Sequence, residues 1–370
     1  MPRIALVQFA PLSPSTAPSS SPPPSSPPEE PASFDLNLRR AHEFVRRAAK
    51  QGAELVVFPE YFISGVVSHP STWHLAQYPH THSHLHASPT HDHEAPSSSR
   101  PTASHWLSTF RSLARELRVD ICVGTIVERA VDEETGEEKW KEVEAENEET
   151  GDRRVEKRPV LENVCHYIDW EGEVVGRYVK RNLWWPEKDY LTAGQADHQV
   201  FQTRFGRVGL LICWDLASPL SLPSLLLHPA GPPDLIIAPT YWTATDAGER
   251  GLKHNPDSEA EYLAALVKSR SWEGECAMVF CNVAAPASYY PGDPLGNEEG
   301  RIGLSQVCVP FKGKIGGAKG PQEELVLVDL DLSILEDARA VYGVHRDLVD
   351  KLDQRDEIVP GWVKKREGSQ

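Results

Sequence analysis

Short, strongly apolar runs recur along this chain, and they set the architecture open to it. Ile4–Phe9, Leu55–Phe58, Ile121–Val127, Val208–Cys213, Leu235–Ala238 and Ala277–Val283 are of strand length and rich in Val and Ile, so each reads as a buried strand. Between the first of them the period changes to that of a helix. Leu38, Ala41, Val45 and Ala48 share one face of a segment running from Leu36 to Lys50 and stopped by Gly52, and Leu107, Phe110, Leu113, Ala114 and Leu117 do the same from Ser104 onward. A third helix is expected from Ser258 to Trp272. The middle of the chain differs: Val164–Ile168 and Val174–Val179 flank a turn at Glu171-Gly172, a similar turn at Phe205-Gly206 leads into Val208, and Leu325–Leu330 is the last strand. A βαβαβ start followed by hairpins predicts layered α/β sheets rather than an all-parallel barrel.

Three segments interrupt this pattern. Residues 11–34 are rich in Pro and Ser, residues 69–105 hold nine of the fifteen histidines, and residues 129–159 form an acidic run. None offers enough apolar surface to offset the entropy of ordering it, so all three are read as inserted loops outside the core. The expected organisation is one domain over residues 1–350 with these inserts, and a tail at 351–370.

The formal net charge is −16, with no basic patch to serve as an electrostatic footprint, so nucleic acid and anionic membranes are not expected partners. Part of that charge is local, because residues 128–162 carry 14 Asp/Glu against 7 Lys/Arg. Cys122, Cys165, Cys276, Cys281 and Cys308 lie mostly in apolar runs without zinc-type spacing and are read as reduced core thiols. The N-terminus runs straight into a strand without a leader-like apolar segment, and the expected compartment is reducing and cytoplasmic.

Three strand ends carry the chemistry. Cys213 closes Val208–Ile212, Glu60 follows Leu55-Val56-Val57-Phe58-Pro59, and Lys180 follows Val174–Val179. A lone Cys there is ordinarily a core thiol, and a lone Glu or Lys a solvated charge. Together they make an acyl-transfer set of nucleophile, general base and cationic oxyanion stabiliser, at the edge where α/β folds place active sites.

In order and in local sequence these segments resemble the nitrilase superfamily of carbon-nitrogen hydrolases. The likeness rests on Val56-Val57-Phe58-Pro59-Glu60-Tyr61 with Gly65, on Gly176-Arg177-Tyr178-Val179-Lys180, and on Gly209-Leu210-Leu211-Ile212-Cys213-Trp214-Asp215. It extends from Arg3 to about Asp347 outside the inserts. Glu187 falls in a segment similar to the one that supplies the family's second carboxylate. Arg270-Ser271-Trp272-Glu273 with Cys281-Asn282 is similar to the family's Arg-Ala-x-Glu-Asn…Asn stretch, with Ser271 and Gly274 departing from it, and Gly303-Leu304-Ser305 resembles its late Gly-x-Ser segment. The resemblance implies a four-layer αββα sandwich, a homodimer or larger homo-oligomer, and catalysis by Glu60, Lys180, Cys213 and Glu187 through a thioester. Trp214 N–H would join Lys180 at the oxyanion, with no metal or organic cofactor.

Asp215 stands where nitrile-cleaving members usually carry Glu, so a small-molecule amide is the expected substrate and a nitrile the alternative. Leu216-Ala217-Ser218 lacks the arginines that enzymes acting on carbamoyl amino acids tend to place there. Tyr61, Phe62, Trp184, Trp185, Trp214, Tyr241 and Trp242 are candidates to line a substrate pocket, with core packing the equal alternative. A non-catalytic binding protein on the same fold would be expected to lack one of the three reactive residues. His80, His82, His84, His86, His91 and His93 alternate in a way that suits Zn²⁺ or Ni²⁺, yet no Cys or fixed scaffold accompanies them and no metal site is expected.

Overall fold

The computed structural model describes residues 1–12, 33–79, 105–132, 134–146, 153–286 and 300–353. Its elements begin with β1 (Arg3–Gln8), α1 (Ser33–Lys50), β2 (Leu55–Val57), α2 (His105–Leu117), β3 (Asp120–Arg129), β4 (Trp140–Glu146), β5 (Arg153–Pro159), β6 (Leu161–Ile168) and β7 (Val174–Val179). They continue with β8 (Val200–Thr203), β9 (Gly206–Leu210), α3 (Ser221–Leu226), β10 (Leu235–Thr240), α4 (Gly248–Leu252), α5 (Ser258–Glu273), β11 (Ala277–Asn282), β12 (Gln306–Val309), β13 (Gly313–Gly317), β14 (Glu324–Asp329), α6 (Ile334–Val341) and α7 (Val344–Asp353).

Two six-stranded mixed sheets result, ordered β14-β1-β2-β3-β6-β7 and β13-β12-β11-β10-β9-β8. The centre of each is parallel, β1-β2-β3 and β9-β10-β11, and hairpin strands add antiparallel on the flanks. The two-residue period of β1 decides the layering. Ile4 and Leu6 join the cluster that holds Leu210, Ile237 and Val279 of the second sheet, whereas Ala5 and Val7 join Ala41, Val45 and Phe110 under α1 and α2. On the second sheet α5 lies against β11, β12 and β13, burying Leu263 and Val267. The product is a four-layer αββα sandwich. The sheets meet closely: Cys281 Sγ of β11 sits 3.3 Å from the Val7 carbonyl and 3.4 Å from that of Val57.

Two expectations are corrected. The acidic segment is not simply a loop, because β4 and β5 pair as a separate antiparallel ribbon in a register that sets Glu142 opposite Lys157. Its pairing is carried by backbone hydrogen bonds and leaves no apolar alternation, which is why composition concealed the strands. The boundary at residue 69 is also too early, since Pro70–Leu75 forms a 3-10 turn that buries Thr72 and Leu75. The His80–His93 tract, most of the Pro/Ser segment and the end of the tail lie outside the described residues. Among the described residues no helix is long and apolar enough to cross a membrane.

One buried polar network braces the first sheet. Glu128 of β3, 1% exposed, lies 2.7 Å from His166 Nε2 on β6 and accepts from Arg177 Nη2 on β7 at 2.8 Å. Burial would raise its pKa, but His166 and Arg177 outweigh that and hold it at about 2 against an ordinary value of 4.5. A depressed folded pKa stabilises above the unfolded value, and the benefit is lost as pH falls from about 4.5 toward about 2. Glu128→Gln is therefore expected to cost about 3 to 5 kcal/mol at neutral pH. Urea unfolding at about pH 7 and about pH 3 tests this through linkage; a wild-type advantage that does not shrink in acid would refute it.

Candidate active site

The parallel centres of both sheets end on one cavity. It measures about 270 Å³ and is lined by Glu60, Tyr61, Val66, Lys180, Trp184, Glu187, Tyr190, Cys213, Trp214, Tyr241, Trp242, Thr243, Thr245 and Asp246. Residues 60, 180 and 213, remote in sequence, thus share one small space. They are also sheltered from water, with Glu60 and Lys180 each 1% exposed and Cys213 6% exposed.

Each is delivered by a local backbone device. The chain leaves β2 through Pro59 and turns at Tyr61, whose φ is 57° and whose N–H donates to Thr125 Oγ1 at 3.0 Å. The opposing strand gives way at Gly124, where a Cβ would lie 2.1 Å from the Pro59 carbonyl oxygen, so only glycine permits that approach. Lys180 directly follows β7, and its N–H donates to the Asn163 carbonyl at 2.9 Å. Cys213 begins a 3-10 turn (Cys213–Leu216) just past β9 with φ at 45°, a left-handed conformation that is strained for a side-chain-bearing residue. What holds that turn is Asp215, fully buried, which accepts from Ile212 N–H at 3.0 Å, Tyr178 Oη at 2.8 Å and both Asn182 N–H and Nδ2. The same carboxylate therefore ties the Cys213 turn to the two ends of the Lys180 segment.

Both oxygens of Glu60 accept hydrogen bonds. Its Oε1 accepts from Lys180 Nζ at 2.9 Å and Asn163 Nδ2 at 2.7 Å, and its Oε2 from the Tyr241 N–H at 2.7 Å. Lys180 Nζ also donates to Glu187 Oε1 at 2.8 Å, and Glu187 further accepts from Tyr61 Oη at 2.6 Å and Trp184 N–H at 2.8 Å. Cys213 Sγ lies 3.7 Å from the Tyr241 carbonyl. Burial raises the Glu60 carboxyl to about 7, with Lys180 opposing the shift and Glu187 adding to it. Burial and the Glu60 charge push the Cys213 thiol well up while Lys180 resists. Burial disfavours the Lys180 ammonium, yet the Glu60 and Glu187 carboxylates keep it firmly protonated. The resting cavity thus holds a neutral thiol beside a carboxyl whose protonation changes near neutrality.

Of the aromatic residues expected to line a pocket, Tyr61, Trp184, Trp214, Tyr241 and Trp242 do so. Phe62 instead stacks on Phe58 in the outer core, and Trp185 is 77% exposed with Lys188 over its ring. Asn282, in the stretch singled out by sequence, holds the Trp242 backbone by accepting from its N–H at 2.9 Å and donating to its carbonyl at 3.0 Å. Asn163, Tyr190 and Asp246 were missed. Asn163 left a faint signal as an uncharged polar residue in the apolar run Leu161–Ile168; Asp246, in a polar turn, left none.

Fold and site together define an α/β sandwich with a cysteine thiol, a lysine and three carboxylates lining one cavity. The family model described as carbon-nitrogen hydrolase matches residues 3–340, and the chain belongs to that family. Similar solved structures include a carbon-nitrogen hydrolase from Helicobacter pylori (TM-score 0.63, 16% identity, covering 94% of each chain). Another is a glutamate-to-glutamine mutant of an amidase from a Nesterenkonia species (TM-score 0.55, 19% identity, 94% of this chain and 96% of that one), with the acetamide moiety of fluoroacetamide covalently added at its active-site cysteine. Among curated proteins, a nitrilase of Pyrococcus abyssi is 24% identical over 309 residues, 82% of this chain and 87% of its own. The match to a probable nitrilase of Schizosaccharomyces pombe (31% identical, 33% of this chain) spans 39% of that protein. The match to the N-carbamoylputrescine amidase of Arabidopsis thaliana (24%, half of this chain) spans 62%.

Proposed function

We propose that this carbon-nitrogen hydrolase is an amidase acting through a Cys213 thioester. The observation that carries the reading is the convergence of Glu60, Lys180 and Cys213 on one enclosed cavity, with the sulfur presented on a left-handed turn. As sulfur attacks the amide carbon, the thiol proton passes to Glu60 and an S–C bond forms. Lys180, already charged, faces the developing oxyanion together with the Trp214 N–H, where a good donor contributes about 3 to 4 kcal/mol. The C–N bond then breaks and the departing nitrogen takes the proton from Glu60. Water adds to the thioester while Glu60 removes its proton, and the acid leaves as the thiol is restored. Glu187, holding Lys180 Nζ, Tyr61 Oη and its own turn, keeps the ammonium aimed into the cavity.

The acetamide group on the cysteine of the Nesterenkonia amidase mutant, with its C–N bond kept, supports a nucleophilic sulfur in that fold. Relatives named nitrilase keep a nitrile as the second reading. Ammonia release from a panel of amides and nitriles, followed across pH, tests both. Amides should be turned over in preference, and kcat/KM should rise with pH through about 7, because Glu60 must be ionised to accept the proton. A preference for nitriles would replace the amide reading with the second one, and a profile flat through neutrality would remove Glu60 as the base.

A further inference from the structure

The cavity is charge-imbalanced, and the imbalance is localised. Among its described lining residues three carboxylates, Glu60, Glu187 and Asp246, face the single ammonium of Lys180, and no arginine lines it. Lys180 is already taken by Glu60 and Glu187. Asp246 is apart from that group, in the 3-10 turn Ala244–Ala247, where its oxygens accept from Thr243 N–H at 3.0 Å and Thr243 Oγ1 at 2.7 Å. A carboxylate offers about four acceptor sites, and Asp246 lines the cavity with two hydrogen bonds accepted from Thr243. Glu259 accepts from Trp242 Nε1 at 2.6 Å and adds its negative charge to the field at Asp246. Arg301 is buried against the Tyr241 ring, with its guanidinium carbon 5.3 Å from the ring centroid and Nη1 on the Ala284 carbonyl, and is not among the lining residues. The walls beside Asp246 are aromatic, with the Trp214 and Trp242 rings 5.4 Å apart and Tyr241 adjoining, and such faces attract cations.

We propose that the cavity selects amides whose acyl portion ends in an ammonium group, with Asp246 as its counter-charge and Trp214, Tyr241 and Trp242 as the surrounding walls. The inference rests on the amidase reading for its reaction, while the binding preference stands on the cavity itself. A substrate carboxylate at the same place would meet Asp246 and Glu259, and among the described lining residues the one cation, Lys180, is already held by Glu60 and Glu187.

The test compares three amides of equal length: an ω-amino alkanamide, the alkanamide with methyl in place of the ammonium, and the ω-carboxylate analogue. The wild-type kcat/KM should favour the ammonium amide over the neutral one by about 10-fold or more, and the carboxylate analogue should be poorest. In Asp246→Asn the ratio of ammonium to neutral amide should fall by about 10-fold, and in Asp246→Lys the carboxylate analogue should overtake the ammonium amide. The ratio is read within each variant, so a general loss of activity does not imitate the effect. Calorimetric binding of the same three amides to the Cys213→Ala protein should give the same order without turnover. Equal binding of all three, or a ratio unaltered by both Asp246 substitutions, overturns the inference. Failure of wild-type protein to hydrolyse any amide would instead defeat the amidase reading, and the calorimetric order would still decide the ammonium preference.

Discussion

Replacing Cys213 by alanine is expected to lower amide hydrolysis by about 10⁴-fold or more, leaving only what binding and the oxyanion donors supply. The loss should exceed that of any other single change because no other thiol can substitute. Cys122, Cys165, Cys276, Cys281 and Cys308 are all buried, and none lines the cavity. Their burial among apolar groups holds Cys276, Cys281 and Cys308 above the ordinary thiol pKa, which suppresses the nucleophilic thiolate. Two measurements check the expectation together. Steady-state ammonia release should fall by about 10⁴-fold or more in Cys213→Ala, and mass spectrometry of acid-quenched wild-type protein with a slow amide should show one acyl group on the peptide containing residue 213. Activity surviving the substitution, or acylation elsewhere, would remove Cys213 as the nucleophile.

Lys180→Met should act on both rate and stability, and the two effects are separable. The ammonium is the shared partner of Glu60 and Glu187, with Nζ at 2.9 Å from the first and 2.6 Å from the second, in a region closed to water. Removing it leaves two carboxylates facing each other without a counter-charge, and breaking such a buried pair costs about 3 to 5 kcal/mol. Part of that cost is relieved if Glu60 takes up a proton. Lys180 lowers the Glu60 pKa and Glu187 raises it, so without the lysine the carboxyl moves above its value of about 7. The rising limb of the pH profile should therefore shift to higher pH, and kcat should fall by about 10² to 10³ even where Glu60 is ionised, because an oxyanion donor is gone. Thermal unfolding and pH-dependent kinetics on the same preparation decide it. A variant with wild-type stability and an unmoved pH limb would show that Lys180 does not bind these carboxylates in solution.

Much of this site was legible in the amino-acid order because reactive side chains were set at the ends of apolar runs. A strand is short, its direction is clear, and a Glu, Lys or Cys directly after it must emerge at the sheet's edge. Cys213-Trp214-Asp215 also showed the neighbours of the candidate thiol, although not that Asp215 is the clasp joining the Cys213 turn to Tyr178 and Asn182. The aromatic residues were harder, since Phe62 and Trp184 look equally apolar in sequence. One packs against Phe58, the other lines the cavity. The β4–β5 ribbon was hidden for a different reason: its strands are joined by backbone pairing, which leaves no apolar pattern.

By itself, then, the sequence determined the layered α/β class, the three reactive positions at strand ends and the family they resemble, because periodicity and strand termini are local properties of the chain. Only the tertiary structure decided which buried groups touch Glu60, which aromatics form the wall and where Asp246 stands. Those depend on two sheets meeting face to face, which brings residues 60, 163, 180, 187, 213 and 246 into one space. In that space burial, more than residue identity, sets the charge: it lifts Glu60 to about 7, so that a carboxyl can exchange a proton at neutral pH.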